Sequence, residues 1–146
     1  MTPQRYIEQI CQPNFDEFAA EPTSIRRAWS TATALFHFID CLAVQRGQRT
    51  SIIRDEVEAG FPQFQALADI ANSSKHFELD RGSRKGLSVE DFKIGRGAAF
   101  SDGSYFSDGT SFSDAPDVIR IEFKGEQIDV LTLCRQALAH LKTKYG

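Results

Sequence analysis

The segment LADIANSSKHF, Leu67 to Phe77, places Asn72, Lys75 and His76 within five residues at the end of an apolar pattern. At about 100° per residue, spacings of three, four and seven stack on one helix face. Asp69, Asn72 and His76 therefore make one polar stripe, with Lys75 to its side. An imidazole that titrates near neutrality can pass protons during cleavage of a phosphodiester. An amide and an ammonium group can orient and neutralise the phosphate. The same residues also suit a solvated helix end, where the helix dipole favours Lys and His. On the residues alone both readings stand.

Other groups point less directly to chemistry. His37 and Asp40 stand three apart on an earlier helix, and bundles do build metal sites from facing helices. A metal enzyme of this kind requires His37 and His76 on one ion. No Glu-x-x-His or His-Glu-x-x-His signature is present, so no metal and no cofactor is expected. The chain has no Gly-x-Ser-x-Gly elbow, and neither Cys41 nor Cys134 has an adjacent base. The GRG of Gly95 to Gly97 lacks the rest of a phosphate-binding loop. FSDGSY, FSDGTS and FSDAPD, Phe100 to Asp117, form a six-residue repeat whose aspartates are wrongly spaced for an EF-hand. Tight surface turns with tucked phenylalanines account for it. His140 reads as a surface or partly buried residue favoured near a helix C-terminus.

These groups must be positioned by helices. Thr2-Pro3 is a cap followed by proline at the first helical position, opening a short helix through Cys11. Thr23 or Ser24 opens a long helix to Arg46, stopped by Gly47. Ile25, Ala28, Trp29, Ala32, Leu35, Phe36, Ile39, Leu42 and Ala43 share one arc of it; Arg26, Ser30, Thr33, His37 and Asp40 share the other. Thr50 to Ala59 is a third helix, ended by Gly60. Phe61-Pro62 opens a fourth, running to about Lys75 or Phe77. Beyond it VEDFKIG suggests a short strand, and VIRIEFKGEQIDV a hairpin around Lys124-Gly125. Asp129 caps a closing helix. The fold class is mainly α: a helical bundle with a loop-rich insertion and a small β-hairpin before the C-terminal helix. One domain is expected, with 1–77 as the helical core, 78–129 as the insertion and 130–146 as the closing helix.

Composition bounds the partners. The chain has 146 residues, 41% apolar and 25% charged, with 12 Phe that suggest an aromatic core. A net charge of -3 provides no overall basic field for nucleic acid, so polyanion contact must be local. Six basic against four acidic residues from Lys75 to Arg96 supply a weak local excess next to the stripe. Three widely spaced cysteines argue against a disulfide framework. The absence of a signal-peptide pattern and of a membrane-length apolar run leads to the expectation of a cytoplasmic protein with no membrane partner.

Asn72-x-x-x-His76 late in a helix, after a long helix carrying Asp40, resembles the HEPN superfamily of α-helical domains. The form D-x-A-N-x-x-K-H-F, Asp69 to Phe77, also looks like a motif of small bacterial and phage proteins. In the superfamily an Arg-Asn-x-x-x-His motif marks metal-independent RNases, and degenerate members bind nucleotides or RNA or mediate assembly. The resemblance covers about Ser24 to Phe77 and implies a helical hairpin that forms a homodimer. Ala71 stands where the motif has arginine. That removes a fixed charge on the transition state, a loss of about 10²-fold in rate. The resemblance thus implies a cleft binding RNA or a nucleotide-like anion, more a binding site than an active nuclease. In a catalytic version His76 is the general acid/base, Asn72 positions the phosphate, Lys75 supplies charge and Asp40 or Asp69 orients His76. His37 and Arg26 join Asp40 and Asp69 as binding residues. The rival expectation is a structural or protein-interaction domain whose polar stripe is an interface.

Overall fold

The computed structural model describes residues 1–73, 80–81, 84–85, 89–96 and 117–146. The Thr2 side chain accepts from the Arg5 N–H and Pro3 takes the first helical position, as the sequence indicates. The helix does not stop at Cys11. α1 (Pro3–Tyr6) passes through a π-helical turn (Ile7–Cys11) into α2 (Gln12–Ala20). Pro13 explains the turn: it has no N–H, and in a regular helix its ring collides with the carbonyl four residues back. The Gln12 N–H instead reaches the Ile7 carbonyl, widening the helix just before the proline. Asn14 Nδ2 then donates to the Ile10 carbonyl at 2.9 Å.

α3 (Ile25–Arg46) begins where Ser24 accepts from the Arg27 N–H and ends at Gly47, whose φ of 61° is left-handed. It packs against every other helix, most extensively against α5 (Phe64–Ser73). That central position widens its buried surface beyond the arc read from the sequence. Thr31, Ala34 and Phe38 are buried as well. The buried Thr31 hydroxyl donates to the Asn14 carbonyl at 2.8 Å, and the Tyr6 hydroxyl to the Ala34 carbonyl at 3.1 Å. α4 (Thr50–Gly60) returns along α3, burying Ile53 and Val57.

The β part is small. Asp80–Arg81 (β1) and Arg84–Lys85 (β2) pair as a minimal ribbon. VEDFKIG divides: Val89–Asp91 is a 3-10 turn and Lys93–Arg96 is β3. β3, β4 (Asp117–Phe123) and β5 (Glu126–Asp129) form an antiparallel sheet in that order. The β4–β5 turn lies at Lys124 and Gly125, both with positive φ (51° and 79°), as a two-residue type I′ hairpin requires. Ile119 and Ile121 on β4 are fully buried. α6 (Val130–Tyr145) is capped by Asp129, which accepts from the N–H groups of Leu131 and Thr132. α6 packs on β4 and β5 and also on α1, α2 and α3, joining sheet and bundle in one core. Phe18, Phe38 and Phe64 are its largest fully buried side chains. Among the described residues no helix is long and apolar enough to cross a membrane.

Candidate functional site

α5 is buried almost all round. From Phe64 to Ser73 only Gln65, Asp69 and Asn72 escape full burial. Their spacings of four and three put them on one face, so the polar stripe is the outward edge of a helix otherwise packed on the core. The Ser73 hydroxyl is turned inward and donates to the Ile70 carbonyl at 2.5 Å, consistent with a serine serving its own helix end. Lys75 and His76 lie outside the described residues, as does the FSDGxx repeat up to residue 116.

The α3 candidates divide into two places. His37 Nδ1 is 2.7 Å from Oδ2 of Asp40 one turn on, and Thr50 Oγ1 donates to the other carboxylate oxygen at 3.5 Å. The pair is open to solvent, and the Phe36 ring meets the His37 ring edge-on at 5.4 Å. The Arg54 guanidinium covers the same Phe36 ring at 5.8 Å. Arg26 is exposed in the first turn of α3, eleven residues before His37. At 1.5 Å per residue that is about 16 Å along the axis, too far for one mononucleotide-sized pocket. A polynucleotide backbone can span it.

α5 meets α3 beside the His37–Asp40 pair, because Phe64 packs on Phe36 with centroids 5.9 Å apart. Asn72 lies eight residues further on, about 12 Å along α5. Arg26, the His37–Asp40 pair and Asn72 thus stand at separate positions along α3 and α5. Among the described residues no group of three or more His, Cys, Asp or Glu side chains is placed to hold a metal ion.

A second cluster was not legible in the sequence. Glu56 on α4 accepts from the Tyr145 hydroxyl at 2.9 Å and from Arg46 Nη1 at 2.8 Å, and Lys144 Nζ stands 3.9 Å away. The Tyr145 bond, then the Arg46 bond and the two cations, hold the Glu56 carboxyl below the usual range, against the opposing effect of desolvation. Burial and the same bond push Tyr145 up to about 12. His140 is half-buried beside it, and burial followed by Lys144 lowers its pKa. His140 is partly buried near the end of α6, as its position in the sequence indicates, and desolvation and a neighbouring ammonium favour its neutral ring. Arg46 and Glu56 sit on consecutive helices and His140, Lys144 and Tyr145 at the end of α6, and only tertiary packing brings the two groups together.

Comparison of the chain with protein-family models, with curated proteins and with solved structures finds no match.

Proposed function

We propose that this domain binds RNA or a nucleotide-like anion along the outer edge of α5, as a HEPN-like domain whose motif lacks its arginine. The observation that supports the reading is the half-exposed stripe Gln65, Asp69 and Asn72 on a helix otherwise buried. His76 continues its spacing by four. A helix held to the core on its other faces gives these side chains a rigid base, which ligand positioning needs. Asn72 donates to phosphate oxygens, Lys75 neutralises charge, and His76 exchanges protons with a neighbouring 2'-hydroxyl or the leaving oxygen. That chemistry needs no metal. With Ala71 in place of arginine, binding outlasts catalysis. The reading also carries a homodimer that sets two stripes across a two-fold axis.

The test is binding and cleavage of labelled single-stranded RNA in EDTA, comparing wild type with Asn72→Ala and His76→Ala. Binding that weakens several-fold in both variants, with weak or no cleavage, supports the reading. RNA affinity that is absent, or equal in all three proteins, removes it. The second reading, a protein-interaction domain, is favoured by the exposed apolar side chains Val44 (84%) and Ile52 (50%). Sedimentation showing self-association without RNA binding supports that reading instead.

A further inference from the structure

The α4–α6 junction carries a feature that ligand binding does not use. The His140 ring stacks on Phe61, centroids 5.8 Å apart and planes 23° apart, and lies edge-on to Tyr145 at 6.4 Å. It is fitted against the backbone of α4: a Cβ on Gly60 would stand 3.0 Å from Cε1 and 3.2 Å from Nε2. Nε2 is fully buried and, among the described residues, has no hydrogen-bond partner.

We propose that this junction is a pH-operated clasp, closed while His140 is neutral and opened when its imidazole takes up a proton. The neutral ring can leave a bare lone pair at Nε2. The imidazolium must present an N–H there, a charged donor in a place without an acceptor. The surrounding charges oppose protonation as well. Lys144, one turn along α6, brings Nζ to 3.5 Å from where a Gly60 Cβ would stand, and Arg46 from α3 lies over the Tyr145 ring at 5.6 Å. Glu56 is the carboxylate at this junction among the described residues, and Tyr145 and Arg46 already occupy its two oxygens. A protonated His140 would therefore join Arg46 and Lys144 as a third cation around the Tyr145 ring.

His140 is held below the ordinary imidazole range by burial first and Lys144 second. A lowered histidine pKa means that the unfolded or opened chain binds the proton better. The clasp is fully closed above the free-imidazole value of about 6.5, loosens as pH falls below it, and levels off beneath the closed-state value. Opening releases the last turn of α6 from the corner Gly60–Phe61. Phe64, three residues beyond Phe61, begins α5, so the clasp sits at the foot of the helix bearing the polar stripe.

The test combines two measurements on the full chain. Histidine ring proton resonances are titrated by NMR in wild type and in His140→Phe, which assigns the missing signal. Amide exchange of residues 139–145, corrected for intrinsic rates, is compared at about pH 7.5 and about pH 5.5. The expected result is a His140 titration below that of free imidazole and a several-fold loss of protection at the lower pH, absent in His140→Phe. A His140 titration at or above the free value overturns the clasp. So does equal loss of protection in both proteins. Should His140→Phe fail to fold, the wild-type ring signal, assigned by its contact with Phe61, still decides through its titration.

Discussion

The Tyr145 hydroxyl, in the last turn of α6, donates to Oε1 of Glu56 across 89 residues of sequence at 2.9 Å. The bond ties the end of the closing helix to α4, and Arg46 brings α3 into it through the other carboxylate oxygen. Three helices thus share one half-exposed carboxylate. The Tyr145 ring also packs on Phe38, so the polar tie sits directly over the aromatic core.

Tyr145→Phe keeps the ring and removes only this donor. A hydrogen bond to a charged but half-exposed acceptor contributes about 1 kcal/mol, and urea unfolding at neutral pH should show a loss of that size. Because the Glu56 pKa is lowered in the folded protein, its contribution is present above the ordinary glutamate range and is lost as pH falls through the folded value. The gap between wild type and Tyr145→Phe should therefore close as unfolding is repeated from pH 7 down towards pH 3. A gap that widens with acid would mean that the tyrosine acts elsewhere.

Gly60→Ala sets two effects against each other. Alanine raises helix propensity by up to about 1 kcal/mol, less at a helix end. Its Cβ, however, meets Cε1 of His140 at 3.0 Å, and that ring is confined by Phe61 and Tyr145. Overpacking of this kind costs about 1–3 kcal/mol, so a net loss of about 1 kcal/mol is expected by thermal or urea unfolding. In a His140→Ala background the same change should become neutral or stabilising. That sign reversal is what a double-mutant cycle reads as direct contact.

Local signals in the sequence were reliable where the chemistry is local. Thr2, Ser24 and Asp129 cap helices as read, and Lys124-Gly125 makes the hairpin turn, because each depends on a few neighbouring atoms. The first helix, read as ending at Cys11, instead runs on to Ala20 through a π turn set just before Pro13. The burial of Thr31, Ala34 and Phe38 was hidden because a helix wheel shows one face, while α3 has partners on several sides. Asp69 and Asn72 lie on an outward stripe as their spacing indicates. Arg26 in the first turn of α3 and His37 near its middle share a face but stand about 16 Å apart along the axis. The Glu56–Tyr145–His140 cluster left no trace in spacing, since only tertiary packing assembles it.

Thr31→Val tests the tie between α2 and α3. Thr31 is fully buried, and its hydroxyl satisfies the Asn14 carbonyl just past the π turn. Valine fills the same volume but removes this second donor from a carbonyl that α2 already pairs within its own helix. The expected loss is about 1–2 kcal/mol, accompanied by faster amide exchange in residues 12–18 than in α6. A global loss with uniform exchange would place the effect in packing rather than in this bond.

The three cysteines should differ in reactivity, and the order follows from burial. The Cys11 thiol is buried and donates to the Ala34 carbonyl at 3.7 Å; burial first, then Cys41, pushes it up to about 12. Burial pushes Cys134 further still, with the nearby Asp129 carboxylate adding to the effect. Neither supplies thiolate at neutral pH, and the thiolate is the reactive form. Cys41 is only half-buried, its Sγ within 3.4 Å of the Met1 carbonyl at the outer side of α3. A thiol reagent such as DTNB at about pH 8 should therefore modify one cysteine quickly in the folded protein and all three after denaturation, with Cys41→Ser abolishing the fast phase. Fast modification that survives Cys41→Ser would show that the core around Cys11 or Cys134 opens readily. Such opening would also predict a low unfolding barrier for the π turn and α6, where those two residues lie.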